Sequence, residues 1–339
     1  MRLYYKTLSI LVCSVLFLIC IYSLVIELQR NYSDGSSFPK EHLSIHNNEE
    51  YNVWCIFTKV RTHKVIKERF NRMLFSLLNT TSSVITLNLI TDSSSRIVAK
   101  DIILNLKNST GKDLKVSFHD VNVITNKIGN VVYLMRKYFS SQPGAYYSDP
   151  LFFVSLVLHK IAFTQHKVIL IDVDTLIKVD IVELFNEFSK FSNESIIGIA
   201  PELSPVYHHI LYRYRQQHKN TKLGVAHSEG GFPGVNSGVL ALDLDRLRSS
   251  KLFEELLTEK SLDRLTKKYF FKGHLGDQDF YTLIGLEHLE LLHLLDCGWN
   301  RQLCTWWSKH GYSETFHKFF SCPSPIKIYH GNCNTDILS

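Results

Sequence analysis

The chain has 339 residues, 45% of them hydrophobic and 21% charged, which excludes a disordered or collagen-like polymer and allows one large domain or two smaller ones. The formal net charge is +6, yet there is no dense Lys/Arg stripe and no finger, RRM or homeodomain pattern, so no nucleic-acid partner is expected. A mild positive bias suits an anionic small-molecule substrate.

Thr7 to Ile26 is a run of 20 uncharged, mostly apolar residues, the length that crosses a bilayer's hydrocarbon core. Arg2 and Lys6 precede it, which places the short N-terminus in the cytosol. Bulky residues continue to Leu28 where a cleaved signal peptide would carry small ones, so the sequence predicts an uncleaved signal-anchor. The expected organisation is a cytosolic tail at 1–6, a transmembrane signal-anchor at 7–27, a flexible stem at 28–50 and a lumenal domain at 51–339. N-glycosylation sequons at Asn31, Asn79, Asn108 and Asn193 agree with a lumenal domain.

Asn52–Thr58 is the first predicted strand, with Cys55 as a buried free thiol. Ile66, Phe70, Met73, Leu74, Leu77 and Leu78 then recur at helical spacing. Val84–Asp92 is a strand, Ser94–Asn105 a helix, Leu114–Val121 a strand and Tyr133–Lys160 an aromatic-rich helical region. Val168–Ile171 has no polar alternation, as expected of a central strand buried on both faces. Asp180 and Glu183 mark a helix start, and Ile196–Ala200 is a further strand. The alternation of strand and helix predicts an α/β fold with a mixed, mainly parallel sheet.

The pattern D-x-D occurs at Asp172/Asp174, Asp243/Asp245 and Asp277/Asp279. Asp245 is expected to cap the helix that follows it. Asp277 and Asp279 flank Gln278 at the entry to an apolar helix, where one can cap and the group can bind a sugar. Asp172 and Asp174 have no such local role. Two carboxylates at i and i+2 share one face of a strand, at the carboxyl end where parallel sheets bind ligands. A hard divalent cation prefers such oxygens, and a histidine ligand tilts the choice toward Mn²⁺ over Mg²⁺. His330 is the candidate, followed by Gly331, which lets backbone N–H groups approach a phosphate. Cys297, Cys304, Cys322 and Cys333 read as two disulfides in an oxidising compartment. A zinc site is the rival, but no C-x-x-C spacing is present.

The blocks "KVILIDVDTLIKVDIVELF", "GVNSGVLALDLDRLR", "HLGDQD" and "YHGN" occur in the order that characterises the glycogenin-like family of retaining glycosyltransferases, and the chain resembles that family from about Tyr51 to Thr335. The resemblance implies a GT-A (Rossmann-like, nucleotide-sugar-binding) fold. It further implies that Asp172, Asp174 and His330 bind Mn²⁺, that Phe57, Thr58 and Lys59 meet the uridine, and that Val173 offers backbone near the sugar. Asn236, Ser237, Leu275, Asp277 and Gln278 would surround the donor sugar and reacting bond, with Gln278 and Asp277 as the catalytic pair. Gly331 and Asn332 would contact the diphosphate. Trp306 or Trp307 would stack on the acceptor, with core packing as the alternative. The family's lysine and Pro-Trp after the His-Gly block are missing from "HGNCNTD", so Asn332 or a backbone amide held by a Cys333 disulfide takes the lysine's place.

"GHLGDQDFYTLIGLEH", "LDCGWNRQLCTWW" and "IYHGNCNT" resemble xylose-transferring enzymes of the endoplasmic reticulum membrane. This implies transfer of xylose from UDP-xylose in α1,3 linkage onto the xylose of a xylosyl-glucose glycan on EGF-like repeats, such as those of Notch. Addition of the first xylose to O-glucose, and a silent lumenal scaffold or lectin, are the alternatives. The intact Asp172, Asp174, Gln278 and His330 argue against silence. The sequence leaves the oligomeric state open, a homodimer included. Spacing does not choose among three cysteine pairings. The need to hold His330 near a chain end favours Cys297–Cys322 with Cys304–Cys333.

Overall fold

The computed structural model describes residues 50–140 and 149–337. The expected anchor and all but the last residue of the stem lie outside them. Among the described residues no helix is long and apolar enough to cross a membrane.

Seven strands form the main sheet: β1 (Tyr51–Ile56), β2 (Ile85–Thr91), β3 (Leu114–Asp120), β4 (Lys167–Ile171), β6 (Ile197–Pro201), β7 (Val235–Asp243) and β8 (Leu292–Leu294), in the order β3-β2-β1-β4-β7-β6-β8. A three-stranded sheet joins β5 (Thr175–Ile177), β10 (Ile328–His330) and β9 (Arg301–Gln302). Strand β7 alone runs against its neighbours in the main sheet, antiparallel to both β4 and β6. The sheet is therefore mixed and mainly parallel, and β4 sits at its centre with both faces covered, as its unbroken apolar run requires.

Helix α1 (Lys64–Thr80) buries Phe70, Met73, Leu74, Leu77 and Leu78, the stripe seen in the sequence. Helix α2 (Ser93–Thr110) is capped by Asp92, whose carboxylate accepts from the Ser95 N–H, and ends at Gly111 in the left-handed conformation. Helix α3 spans Val121–Phe139, earlier than the expected Tyr133–Lys160, because Asp120 caps it through the Asn122 and Val123 N–H groups. Pro150–Phe153 and Ser155–Val157 are 3₁₀ turns, and only Leu158–Ile161 is α-helical. A second difference concerns capping. Strand β7 runs on to Asp243, so Asp243 rather than Asp245 caps the helix Leu244–Ser249, accepting from Arg246 N–H at 3.0 Å. Asp245 stands in that helix's first turn and bonds Arg248 and His166.

Two apolar cores cover the two faces of the sheet, one built on α1 and α2, the other on α3, α4 (Glu259–Tyr269) and α5 (Asp277–Gly285). Cys55 is buried and free. Cys297 is bonded to Cys322, and Cys304 to Cys333. The sequon residues Asn79, Asn108 and Asn193 are exposed.

Candidate active site

Strand β6 is parallel to β4 and β7 antiparallel, so the carboxyl ends of β4 and β6 and the start of β7 meet along one edge of the sheet. Asp172 and Asp174 stand there in the turn between β4 and β5, not on a strand face as the i, i+2 argument expects. The turn is held by backbone contacts: Asp172 N–H donates to the Gly238 carbonyl (2.9 Å), and Gly331 N–H to the Asp174 carbonyl (2.7 Å). Pairing of β10 with β5 places His330 opposite Thr175. Its Nε2 lies 3.7 Å from Asp172 Oδ2 and 3.5 Å from Asp174 Oδ1, so one ligand atom from each of the three residues falls within 4.8 Å of the others.

The histidine's tautomer follows from its neighbours. Asn300 Nδ2 donates to Asn236 Oδ1 (2.9 Å), so Asn300 turns its oxygen to His330 Nδ1 at 2.9 Å. Nδ1 therefore carries the proton and Nε2 keeps a lone pair facing the carboxylates. Burial pushes the imidazole pKa down, against the pull of Asp174, which favours the neutral, ligating form. Two carboxylates and a neutral imidazole are the donor set of a hard-to-borderline divalent cation. Arg69 on α1 approaches the other Asp174 oxygen at 3.7 Å and Asn334 Oδ1 at 3.1 Å, which partly offsets the acidic charge.

Beside this cluster, Gly276 at φ +71° lets the chain turn into α5, a conformation that costs glycine little. Asp277 opens the helix and accepts from Ser237 Oγ (2.9 Å) and Ser155 Oγ. Burial raises its carboxyl to about 6, against those hydrogen bonds. Gln278 is 9% exposed, and its Nε2 donates to Glu202 Oε2 (3.1 Å) and Tyr207 Oη (3.2 Å). Asp279 turns the other way into the core, where it accepts from the Tyr207 hydroxyl.

The sequence profile of glycosyl transferase family 8 matches residues 23–318. The chain belongs to glycosyl transferase family 8. Xyloside xylosyltransferase 1 of mouse and of human are each 44% identical to it over 294 residues, 85% of this chain and 75% of theirs. The crystal structure of mouse xyloside xylosyltransferase 1 in its apo form superposes with a TM-score of 0.80 at 43% identity, covering 85% of this chain and all of that one. Galactosyltransferase LgtC, solved with donor and acceptor sugar analogs, shares the fold alone, with a TM-score of 0.51 at 15% identity over 84% of this chain and 91% of its own.

For this family 8 chain the remaining expected site residues differ in how near they lie to the acidic cluster. Asn236 and Ser237 at the start of β7, Gly331 and Val173 adjoin the acidic cluster in the chain or through the bonds above. Thr58 is buried, and Lys59 adopts φ +60°, its N–H donating to Asp92 and its ammonium paired with Asp149. The Phe57 ring is fully buried and stacked on Phe70 at 4.4 Å, and its N–H donates to the Ile90 carbonyl, so its backbone carbonyl is what it can offer a base. Leu275 packs against the core. Asn332 spends its carboxamide oxygen on the Leu303 and Cys304 N–H groups (3.0 and 2.9 Å), leaving only its amide N–H donors for a phosphate. Trp306 is half exposed and stacks on His310 at 3.7 Å, while Trp307 packs edge-on between Trp306 and Tyr312.

Sequence reasoning missed Glu202, Tyr207, Asn300 and Arg69. Glu202 had a signal, a lone acid directly after the apolar strand "IIGIAP". Asn300 and Tyr207 had none, since only tertiary packing joins them to the site.

Proposed function

We propose that this chain is a retaining xylosyltransferase of family 8 that takes xylose from UDP-xylose and adds it in α1,3 linkage to the xylose of a xylosyl-glucose glycan on EGF-like repeats of Notch type. The single observation that carries this reading is the Asp172–Asp174–His330 cluster beside Gln278, in a chain with 44% identity to xyloside xylosyltransferase 1. The reading places the enzyme in the endoplasmic reticulum membrane, with a type II anchor and a lumenal catalytic domain.

Asp172, Asp174 and His330 would hold Mn²⁺, which when bound supplies Lewis-acid charge for the departing diphosphate. Gly331 N–H is already spent on Asp174, so the Asn332 side-chain amide is one donor this loop can offer a phosphate oxygen. Gln278 is neutral and a poor nucleophile. Both hydrogens of its Nε2 are used inside the protein, so Oε1 is the atom it can present to a positive sugar carbon. That favours attack by the acceptor hydroxyl on the face the leaving group departs from. The anomeric carbon–oxygen bond to UDP breaks, the bond to the acceptor oxygen forms, and the acceptor's proton passes to the departing phosphate oxygen. Trp306 offers the acceptor an exposed aromatic face.

The test supplies full-length protein with UDP-xylose, Mn²⁺ and either a glucose-only or a xylosyl-glucose acceptor. Xylose transfer to the second alone is expected, and lost on chelation and in Asp174→Asn. Preference for the glucose-only acceptor would reassign the enzyme to the preceding step. Absence of transfer and of UDP-xylose hydrolysis would leave a scaffold or lectin.

A further inference from the structure

Glu202 is a buried carboxylate, 3% exposed, at the carboxyl end of β6. Among the described residues no salt bridge reaches it. Instead three neutral N–H groups converge on it: Ser204 N–H on Oε1 (3.0 Å), and Asn236 Nδ2 (3.0 Å) and Gln278 Nε2 (3.1 Å) on Oε2. Its backbone is pinned as well, since Glu202 N–H donates to the Gly234 carbonyl at 3.0 Å. Burying a carboxylate without a cation is costly, and a neutral amide or an apolar residue would fill the same space more cheaply.

What a carboxylate does here that an amide cannot is accept only. An ionised acid offers no donor, so each carboxamide that touches it must present nitrogen. Asn236 has a second restraint, because Gly238 N–H donates to its oxygen (3.2 Å). Among the described residues no backbone group restrains the Gln278 amide. Its other contact is the Tyr207 hydroxyl, which sends its own proton to Asp279 (2.9 Å) and so receives from Gln278. The orientation of the Gln278 amide is thus set by two acceptors, Glu202 directly and Asp279 through Tyr207.

We infer that Glu202 is a positioning residue for the transfer reaction, holding the Gln278 carboxamide with Oε1 turned toward the reacting sugar carbon. The inference rests on the proposed xylosyl transfer. With glutamine at 202 the pair has a donor and an acceptor on both sides, and the Gln278 amide can flip to place N–H groups against a developing positive charge.

The experiment compares full-length wild type, Glu202→Gln, Glu202→Asp, Tyr207→Phe and Gln278→Ala for kcat, donor KM and calorimetric affinity for UDP with Mn²⁺. Glu202→Gln should lower kcat about 100-fold, the low end of what losing one such electrostatic group costs. UDP affinity should stay near wild type, which a collapsed site would not allow. Glu202→Asp, still an acceptor, should recover part of the rate. Tyr207→Phe, which removes the second acceptor, should also lower kcat and stands in if Glu202→Gln does not fold. Wild-type kcat in Glu202→Gln or Tyr207→Phe beside an impaired Gln278→Ala would overturn this inference alone, as would losses that track UDP affinity. Wild-type protein that transfers no xylose would instead overturn the functional reading.

Discussion

The imidazole of His330 rests against Gly238: a β-carbon on Gly238 would stand 2.2 Å from His330 Cε1 and 2.5 Å from Nδ1. No side chain larger than hydrogen fits there without moving the ring, and the ring is held at Nδ1 by Asn300. The glycine of the block "NSG" is therefore part of the cradle that holds the His330 ring.

Gly238→Ala is expected to displace His330 and weaken Mn²⁺ binding by about 10- to 100-fold, the range found when the supports of a ligating histidine are disturbed. Overpacking should also cost about 1–3 kcal/mol of stability. Titration of the protein with Mn²⁺, followed by electron paramagnetic resonance, reads the first quantity. Unchanged affinity would mean that His330 does not ligate.

The Cys304–Cys333 bond closes a segment with a sequence separation of 29. Replacing both cysteines by serine should lower stability by roughly 3–4 kcal/mol in the chain-entropy account. His330 itself is held by β10 pairing and by Asn300, so Mn²⁺ affinity should fall less than in Gly238→Ala. Thermal unfolding with the same Mn²⁺ titration checks both. A larger metal defect than in Gly238→Ala would show that the disulfide, not the strand, positions the ligand.

Asp277 gives a pH signature. Burial raises its carboxyl from 3.8 to about 6, so between those pH values the folded state keeps a proton that the unfolded chain releases. Its contribution to stability is most favourable below about pH 4, declines as pH rises through 6 and is flat above. The span is on the order of 3 kcal/mol. Asp277→Asn removes this term. The melting temperature of the variant minus that of wild type should increase from pH 4.5 to 6.5 and then level off, while transfer activity is lost. A difference independent of pH would contradict the assignment.

Trp306 presents half its surface to solvent and stacks on His310 with the ring planes parallel within 6°. Trp306→Ala should raise acceptor KM on the order of tenfold, as for aromatic anchors worth more than about 1 kcal/mol, and leave donor KM unchanged. Its exposed position predicts little change in melting temperature. Steady-state kinetics with acceptor and donor varied separately decide this, and an equal rise in both constants would place Trp306 in the fold rather than the acceptor wall.

The sequence alone determined the strand–helix alternation, the central place of β4, the acidic pair Asp172 and Asp174 at its end, and the free state of Cys55. Each of these is written locally, as an apolar run, a helical stripe, or acids without a capping role. Tertiary structure decided the rest. The antiparallel course of β7 brings Asn236 and Ser237 to the edge where β4 and β6 end, and no local pattern records a strand's direction. The length of β7 passes the cap from Asp245 to Asp243. The ring of Phe57 faces Phe70 because α1 covers that side of the sheet. The donors converging on Glu202 come from residues 2, 34 and 76 positions away along the chain, so the orientation of Gln278 depends on which groups packing leaves within 3.1 Å of one another, a distance the chain acquires only on folding.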